Sequence, residues 1–267
     1  MLKDITLGQY FPGDTAIHRL DPRVKIVLTV EYIVLLFLAK WFFSYGLILL
    51  FLVCSAITAH IGAKTLMSGF KPLIIIIIVT AVLNILYTPG EPLVSFWKIS
   101  ITKEGISTAF FMVLRILLLV CGTFLLTYTT SPIRLTDGME SLLKPLKKIK
   151  VPVHELAMMM SIALRFIPTL IEETDKIISA QKARGADFTS GNIIRRAKAL
   201  VPILVPLFVS AFRRADELAT AMECRCYNNG ENRTKLNVLV VKRADYAAIA
   251  VGVVLLAGTL IFRHYGL

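Results

Sequence analysis

The sequence predicts an all-α fold, a polytopic membrane protein of about five transmembrane helices plus a cytoplasmic domain of long amphipathic helices. Three observations lead there. Of 267 residues, 56% are hydrophobic, and the mean hydropathy is +0.70, a composition that soluble domains rarely reach. The apolar residues come in runs near bilayer length rather than dispersed. Residues 131–243, between the last two runs, are basic, too long for a simple loop and too apolar for disorder.

The elements follow in chain order. Residues 1–23 form a cytoplasmic N-terminal segment. It lacks the apolar stretch of a signal peptide, and Gly8, Pro12, Gly13 and Asp14 mark a structured loop. Residues 24–130 hold four spans. The first, Val24 to Ala39, carries Glu31; the second, Trp41 to Ala59, has no charge. Only Lys40 separates them, so a tight hairpin is expected, with one long tilted helix as the rival. The third, Leu73 to Tyr87, falls short of the roughly 20 residues a spanning helix needs, and Thr88 is expected to extend it. The fourth, Ile106 to Thr130, contains Arg115. Glu31 and Arg115 are the only charges well inside spans, and pairing with each other is one way to offset their cost. Residues 244–267 hold the fifth span, Tyr246 to Phe262, which Ala244 can lengthen.

Charge sets the orientation. With the N-terminus cytoplasmic, 25 Lys and Arg lie inside and 4 outside, with Arg115 in the membrane. Counting only the stretches within about 20 residues of the spans leaves 16 against 4. Residues 131–243 are then cytoplasmic and the C-terminus extracellular. The net charge of +12 suits a basic face against anionic lipid and needs no nucleic-acid partner.

Three helical stretches are expected in residues 131–243. Ile133 to Lys148 carries an apolar stripe beside lysines, the pattern of a helix at a membrane interface. Pro145 should bend or end it. The second starts at Val151-Pro152 and runs through Arg184. Pro168 should kink or split it, and Gly185 is placed to stop it. Its front half carries Met158, Met159 and Met160, adaptable side chains suited to a re-packable surface or to ordinary helix packing. The third runs from about Gly191 to Tyr227, broken by Pro202 and Pro206, with Asn228-Asn229-Gly230 as a stop signal.

The ends of the second and third stretches match. Sliding one along the other until Arg184 meets Arg225 superposes Ala183-Arg184-Gly185 on Cys224-Arg225-Cys226 and Asp175 on Asp216. One arginine in a last helical turn is explained by the helix dipole, worth about 0.3–1 kcal/mol. Two, each flanked by small residues that let a partner approach, suggest two similar sockets and a dimeric or pseudo-dimeric partner. Arginine offers the planar fork that fits a carboxylate in bidentate fashion.

These residues carry a resemblance to a known family. The Ile17-His18-Arg19-Leu20-Asp21-Pro22-Arg23-Val24-Lys25 run, the Leu164-Arg165-Phe166-Ile167-Pro168 stretch, Gln181-Lys182-Ala183-Arg184-Gly185 and Met222-Glu223-Cys224-Arg225-Cys226-Tyr227 together resemble the transmembrane subunits of energy-coupling factor transporters, the EcfT and CbiQ family. The likeness covers nearly the whole chain. Its signature is a pair of Ala-Arg-Gly-like tripeptides at the ends of coupling helices. The first matches fully. The second keeps Glu223, Arg225 and Tyr227 but has cysteine where alanine and glycine are usual. The resemblance implies a scaffold in an ATP-driven vitamin or micronutrient importer. Its implied partners are two cytoplasmic ATPases of the EcfA and EcfA′ type, each receiving one arginine tip, and a membrane-embedded S component that captures the solute. Met158, Met159, Met160 and Pro168 are the expected contacts to the S component. Asp175, Asp216, Glu223 and Tyr227 are expected to support the tips. ATP and magnesium are implied for the ATPases, and no cofactor for this chain.

Other chemistry is missing. Gly62-Ala63-Lys64-Thr65 does not meet the spacing of a P-loop. His18, His60, His154 and His264 are scattered without carboxylates at useful spacing, and Cys224 with Cys226 lacks the further ligands of a metal site. No catalytic residue is assigned. A secondary carrier acting alone is the alternative, and the scarcity of membrane charges counts against it.

Overall fold

The computed structural model describes residues 10–39, 41–96, 99–186, 188, 192–227 and 238–265. They form two compact units. The membrane unit comprises Gly8–Ser141 and Leu239–Leu267; Leu142–Val238 belong to a second unit, labelled the coupling unit for the role expected of it.

In the membrane unit, α1 (Ala16–Arg19) precedes α2 (Pro22–Leu38). Asp21 caps α2 by accepting from the Arg23 N–H at 2.9 Å, and Pro22 fills the first turn, where its missing N–H costs nothing. Helix α2 ends before an extended Ala39. Helix α3 (Phe42–Thr58) starts after an extended Trp41, so the first two spans are separate helices. Helix α4 (Ala63–Ser68) and a 3-10 turn (Lys71–Leu73) lead into α5 (Ile74–Tyr87). The third span is therefore lengthened at its N-terminal side. Thr88 does not extend it; it is the extended cap residue. An antiparallel hairpin, β1 (Pro92–Phe96) with β2 (Ile99–Thr102), follows and was not expected from the sequence. The Thr102 hydroxyl donates to the Thr88 carbonyl and accepts from the Gly105 N–H, capping α6 (Lys103–Thr129). Helix α7 (Pro132–Leu143) gives way at Pro145 to a 3-10 turn (Lys144–Ile149). Helix α10 (Arg243–Tyr265) closes the unit.

Its core gathers Tyr32, Leu35, Leu36, Tyr45, Ile48, Leu52, Leu118 and Leu255 from α2, α3, α6 and α10. The Tyr32 hydroxyl donates to the Leu118 carbonyl at 2.8 Å. Lys25 on α2 donates to the Thr129 carbonyl at 2.9 Å, and the Asp21 N–H donates to Asp245 at 2.7 Å. The starts of α2 and α10 and the end of α6 thus share one side, as alternating spans require.

Glu31 and Arg115 do not pair. Arg115 donates to the Tyr45 hydroxyl at 2.8 and 3.0 Å and to the Ala39 carbonyl at 3.3 Å, with its guanidinium over the Phe37 and Tyr45 rings. It secures the turn between α2 and α3. Glu31 packs at the α2–α10 seam, where its carboxylate lies 2.8 Å from the place a side chain on Gly252 would begin.

The coupling unit is built on α8 (Val153–Ala183) and α9 (Ile193–Cys224). Neither is split. Helix α8 continues through Pro168, and α9 continues through Pro202 and Pro206. The expected start at Gly191 and the Asn228-Asn229-Gly230 stop lie outside the described residues.

Among the described residues, four helical stretches are long and apolar enough to cross a membrane: Lys64–Tyr87, Lys103–Thr129, Val153–Ala183 and Arg243–Arg263. Val153–Ala183 is the least apolar of them. Helices α2 and α3 have 17 residues each, just under that length.

Candidate functional site

The two arginine tips share one backbone geometry. At the first, the Gly185 N–H donates to the Lys182 carbonyl at 2.9 Å and the Ala186 N–H to the Gln181 carbonyl at 3.0 Å. At the second, the Cys226 N–H donates to Glu223 at 2.8 Å and the Tyr227 N–H to Met222 at 3.0 Å. This is the Schellman closure, which satisfies orphan carbonyls of a last helical turn. The register shift that carries Arg184 onto Arg225 carries both of these bonds of the first tip onto those of the second. The closure needs a left-handed residue, and Gly185 (φ +85) and Cys226 (φ +53) supply it. Glycine adopts that conformation freely, whereas a residue with a Cβ holds it at a cost of about 1–2 kcal/mol. Arg184 and Arg225 stand immediately before those residues and are both exposed. Ala183, Cys224 and Cys226 beside them are exposed too, so among the described residues nothing covers either guanidinium flank.

The helices below the tips repeat each other as well. Ser179 bonds back to the Asp175 carbonyl at 2.7 Å, and Thr220 to the Asp216 carbonyl at 2.9 Å. Hydrogen bonds tie α8 to α9 and to Tyr227 just beyond it. Gln181 donates to the Pro202 carbonyl at 3.3 Å, Arg214 to Glu173 at 3.3 Å, and the Tyr227 hydroxyl to the Met158 sulfur at 2.8 Å. As numbers fall along α8 they rise along α9, so the helices are antiparallel. The shift that superposes the tips also superposes Glu173 on Arg214, so equivalent positions of the repeat are in contact with each other. They mark an approximate two-fold axis. Each arginine tip lies roughly three helical turns beyond that axis, about 16 Å at the helical rise. The tips therefore face opposite ways, on the order of 30 Å apart.

One contact offsets the hydrogen bond lost at Pro206. Pro206 has no N–H for the carbonyl four residues before it, which is that of Pro202. That carbonyl accepts from Gln181 instead.

The supporting residues divide. Tyr227 ties the end of α9 to the beginning of α8, while Asp216 and Glu223 are exposed and Asp175 is half-buried. Met158 is half-buried against Tyr227 and does not belong to a free surface. Met159, Met160 and Pro168 are exposed. Leu156 on α8 and Val201, Leu204, Val205, Phe208, Val209 and Phe212 on α9 are exposed apolar neighbours in the same helices. Sequence reasoning missed Gln181, Glu173 and Arg214 as the residues that join the helices. The register shift between the tips was the signal that would have found the Glu173–Arg214 pair.

At the membrane unit, side chains of the Ile17–Lys25 run bond to neighbouring backbone and side chains. His18 is buried; its Nε2 donates to the Phe11 carbonyl and its Nδ1 accepts from the Thr15 hydroxyl. Burial holds the imidazole below its ordinary value. Burial also works against the Asp21 charge, but the Arg23 hydrogen bonds prevail and keep that carboxyl below the usual carboxylate range.

Comparison with known proteins finds relatives over nearly the whole chain. The family profile described as cobalt transport protein, CbiQ, matches residues 13–236. The chain is 54% identical over 262 residues to the energy-coupling factor transporter transmembrane protein EcfT of Thermosediminibacter oceani, covering 98% of this chain and 99% of that one. It is 58% identical over 245 residues to EcfT of Acidaminococcus fermentans, covering 92% and 91%. It is 49% identical over 265 residues to EcfT of Bacillus subtilis, covering 98% and 99%.

Proposed function

Since the chain belongs to the CbiQ family, as an energy-coupling factor transporter transmembrane subunit of the EcfT type, we propose that it is the non-catalytic scaffold joining two ATPases to a substrate-binding S component. The observation that carries this is the approximate two-fold axis at Glu173–Arg214, with one capped arginine tip on each side. A partner that engages both tips needs two related sockets facing each other across a similar axis, which a pair of ATPases provides. Gly185 against Cys226 favours two non-identical sockets, hence a heterodimer. ATP and magnesium act in those subunits. Arginine in a carboxylate-lined groove makes charge-assisted, bidentate bonds, so each tip is held in direction as well as position.

The exposed apolar residues of α8 and α9, including Met159 and Met160, are the proposed seat of the S component. A methionine-bearing surface re-packs at low cost, which suits a scaffold that meets different partners or different states of one. Rigid helices joined at an axis carry ATPase closure to that surface as a rigid-body displacement. The charge count supports a cytoplasmic N-terminus, cytoplasmic residues 131–243 and an extracellular C-terminus. The apolar front half of α8 is then docking surface rather than a sixth span.

Reconstitution tests the reading. Vesicles with this chain alone should take up no vitamin or metal solute. Vesicles with both ATPases and an S component should show ATP-driven uptake. Uptake by the chain alone would establish the carrier alternative instead. A cysteine placed at Met159 should react with a membrane-impermeant maleimide only from the cytoplasmic side.

A further inference from the structure

Among the described residues the chain passes between the coupling unit and the membrane unit at two points, one after Ser141 and one before Leu239. Both sides of the membrane unit at those crossings are held by one side chain. Arg23 Nη1 donates to the Ser141 hydroxyl at 3.4 Å, and Nη2 donates to the Leu239 carbonyl at 3.0 Å. The same guanidinium grips Asp21 in bidentate fashion, Nε to Oδ1 at 3.0 Å and Nη2 to Oδ2 at 2.8 Å. Asp21 is anchored in turn, its N–H donating to Asp245 Oδ1 while the Asp245 Oδ2 accepts from the Lys242 N–H at 2.6 Å. Asp21 and Asp245 are buried. One fork-shaped cation thus joins the start of α2, the end of α7 and the chain entering α10.

We propose that Arg23 is a positioning residue of energy coupling: it clamps the two points at which the chain leaves and re-enters the membrane unit, so that displacement of the coupling unit reaches α2 and α10 instead of being absorbed in the connecting chain. The proposal rests on the scaffold reading above. Its chemistry requires arginine. Four hydrogen bonds diverge from one planar group to three parts of the chain, and a lysine ammonium has three donors on a flexible stem. Loose crossings would let the ATPases cycle without moving the membrane helices.

Two measurements test this separately. The first uses the isolated chain with its four native cysteines replaced and nitroxide labels at Asp137→Cys and Tyr246→Cys, on α7 and α10. Arg23→Gln should broaden the distance distribution between the labels, and Arg23→Lys should do so nearly as much. This readout is independent of transport, so it stands if the scaffold reading fails. The second uses the full complex with two ATPases and the S component, following uptake and ATP hydrolysis together. Arg23→Gln should leave hydrolysis within about twofold and lower uptake per ATP at least tenfold. An unchanged distance distribution overturns the clamp. A broadened distribution with a wild-type uptake-to-ATP ratio overturns its role in coupling. If Arg23→Gln fails to assemble, Ser141→Ala decides. It spares the Asp21 pair and should lower the ratio about two- to threefold, and a wild-type ratio there overturns the proposal.

Discussion

The tips at Arg184 and Arg225 are closed by the same hydrogen bonds in the same register, yet one closure turns on glycine and the other on cysteine. The difference separates two demands that sequence alone runs together. On the proposed reading the arginine answers to the partner, and it stands at both tips. The residue after it answers to the helix terminus, and there the chain tolerates a strained choice at one tip. Equivalent closure does not need equivalent stability.

The largest expected effect tests whether the arginines are equivalent. Truncating one side of a buried arginine–carboxylate pair costs roughly 2–5 kcal/mol. Arg184→Ala and Arg225→Ala should each weaken co-purification with the ATPase pair by at least tenfold, and the double variant should abolish assembly and uptake. Equal losses from the single variants would indicate matched sockets. Normal assembly and uptake by the double variant would remove the coupling role from both tips.

The cap residues come next, and here the sign should differ between tips. Gly185→Ala forces a Cβ into the left-handed region and should destabilise the end of α8 by about 1 kcal/mol. Cys226→Gly relieves the same strain and should stabilise the end of α9 by a similar amount, less the entropy that glycine adds to the unfolded chain. Hydrogen exchange of the Ala186 and Tyr227 amides reads the two closures directly. Slower exchange at Tyr227 in Cys226→Gly with faster exchange at Ala186 in Gly185→Ala is the expected pattern. Matching changes of one sign would mean that Cys226 is not strained.

What was legible in the sequence follows the same division. Long apolar runs located the helices α2, α3, α5, α6 and α10, and Gly185 announced its own terminus. The N-terminal lengthening of the third span was hidden because Gly69 and Pro72, poor helix formers, interrupt it. The unbroken α9 was hidden for a different reason. Pro202 and Pro206 are local signals against a helix, and one compensation is a side chain from another helix, Gln181 on Pro202. Pairing Glu31 with Arg115 follows from their being the only charges in spans, whereas Arg115 is satisfied by a tyrosine hydroxyl and a backbone carbonyl. The β hairpin did have a signal, the alternating β-branched and polar residues of Ile99-Ser100-Ile101-Thr102, which the longer apolar runs on either side overshadow.

Gln181 also distinguishes the tips, because its counterpart in the repeat is Met222. Only the first tip is pinned to the opposite helix by an amide. Gln181→Met makes the two alike and leaves the Pro202 carbonyl without that donor at an exposed position, where water replaces it. The expected cost is about 0.5–1.5 kcal/mol in thermal unfolding. It should lower order near Arg184 more than near Arg225, which backbone NMR or hydrogen exchange resolves. Equal loosening of both tips would mean that the contact acts on the helix pair as a whole.

The smallest effect lies at the axis, where the two-fold relation predicts symmetry. Glu173 and Arg214 are half-buried and 3.3 Å apart, so solvent screening keeps their coupling near the surface range of about 0.2–1 kcal/mol. A double-mutant cycle with Glu173→Gln and Arg214→Gln measures it. Because the pair sits where the repeat meets itself, its loss should disturb both tips alike. The exchanged pair, Glu173→Arg with Arg214→Glu, should restore most of the coupling, since reversing two equivalent positions about a two-fold axis recreates the same contact. An exchanged pair that stays as weak as the single variants would show that the helix surroundings of the two positions differ. The two-fold relation would then hold for the tips without extending to the helices that carry them.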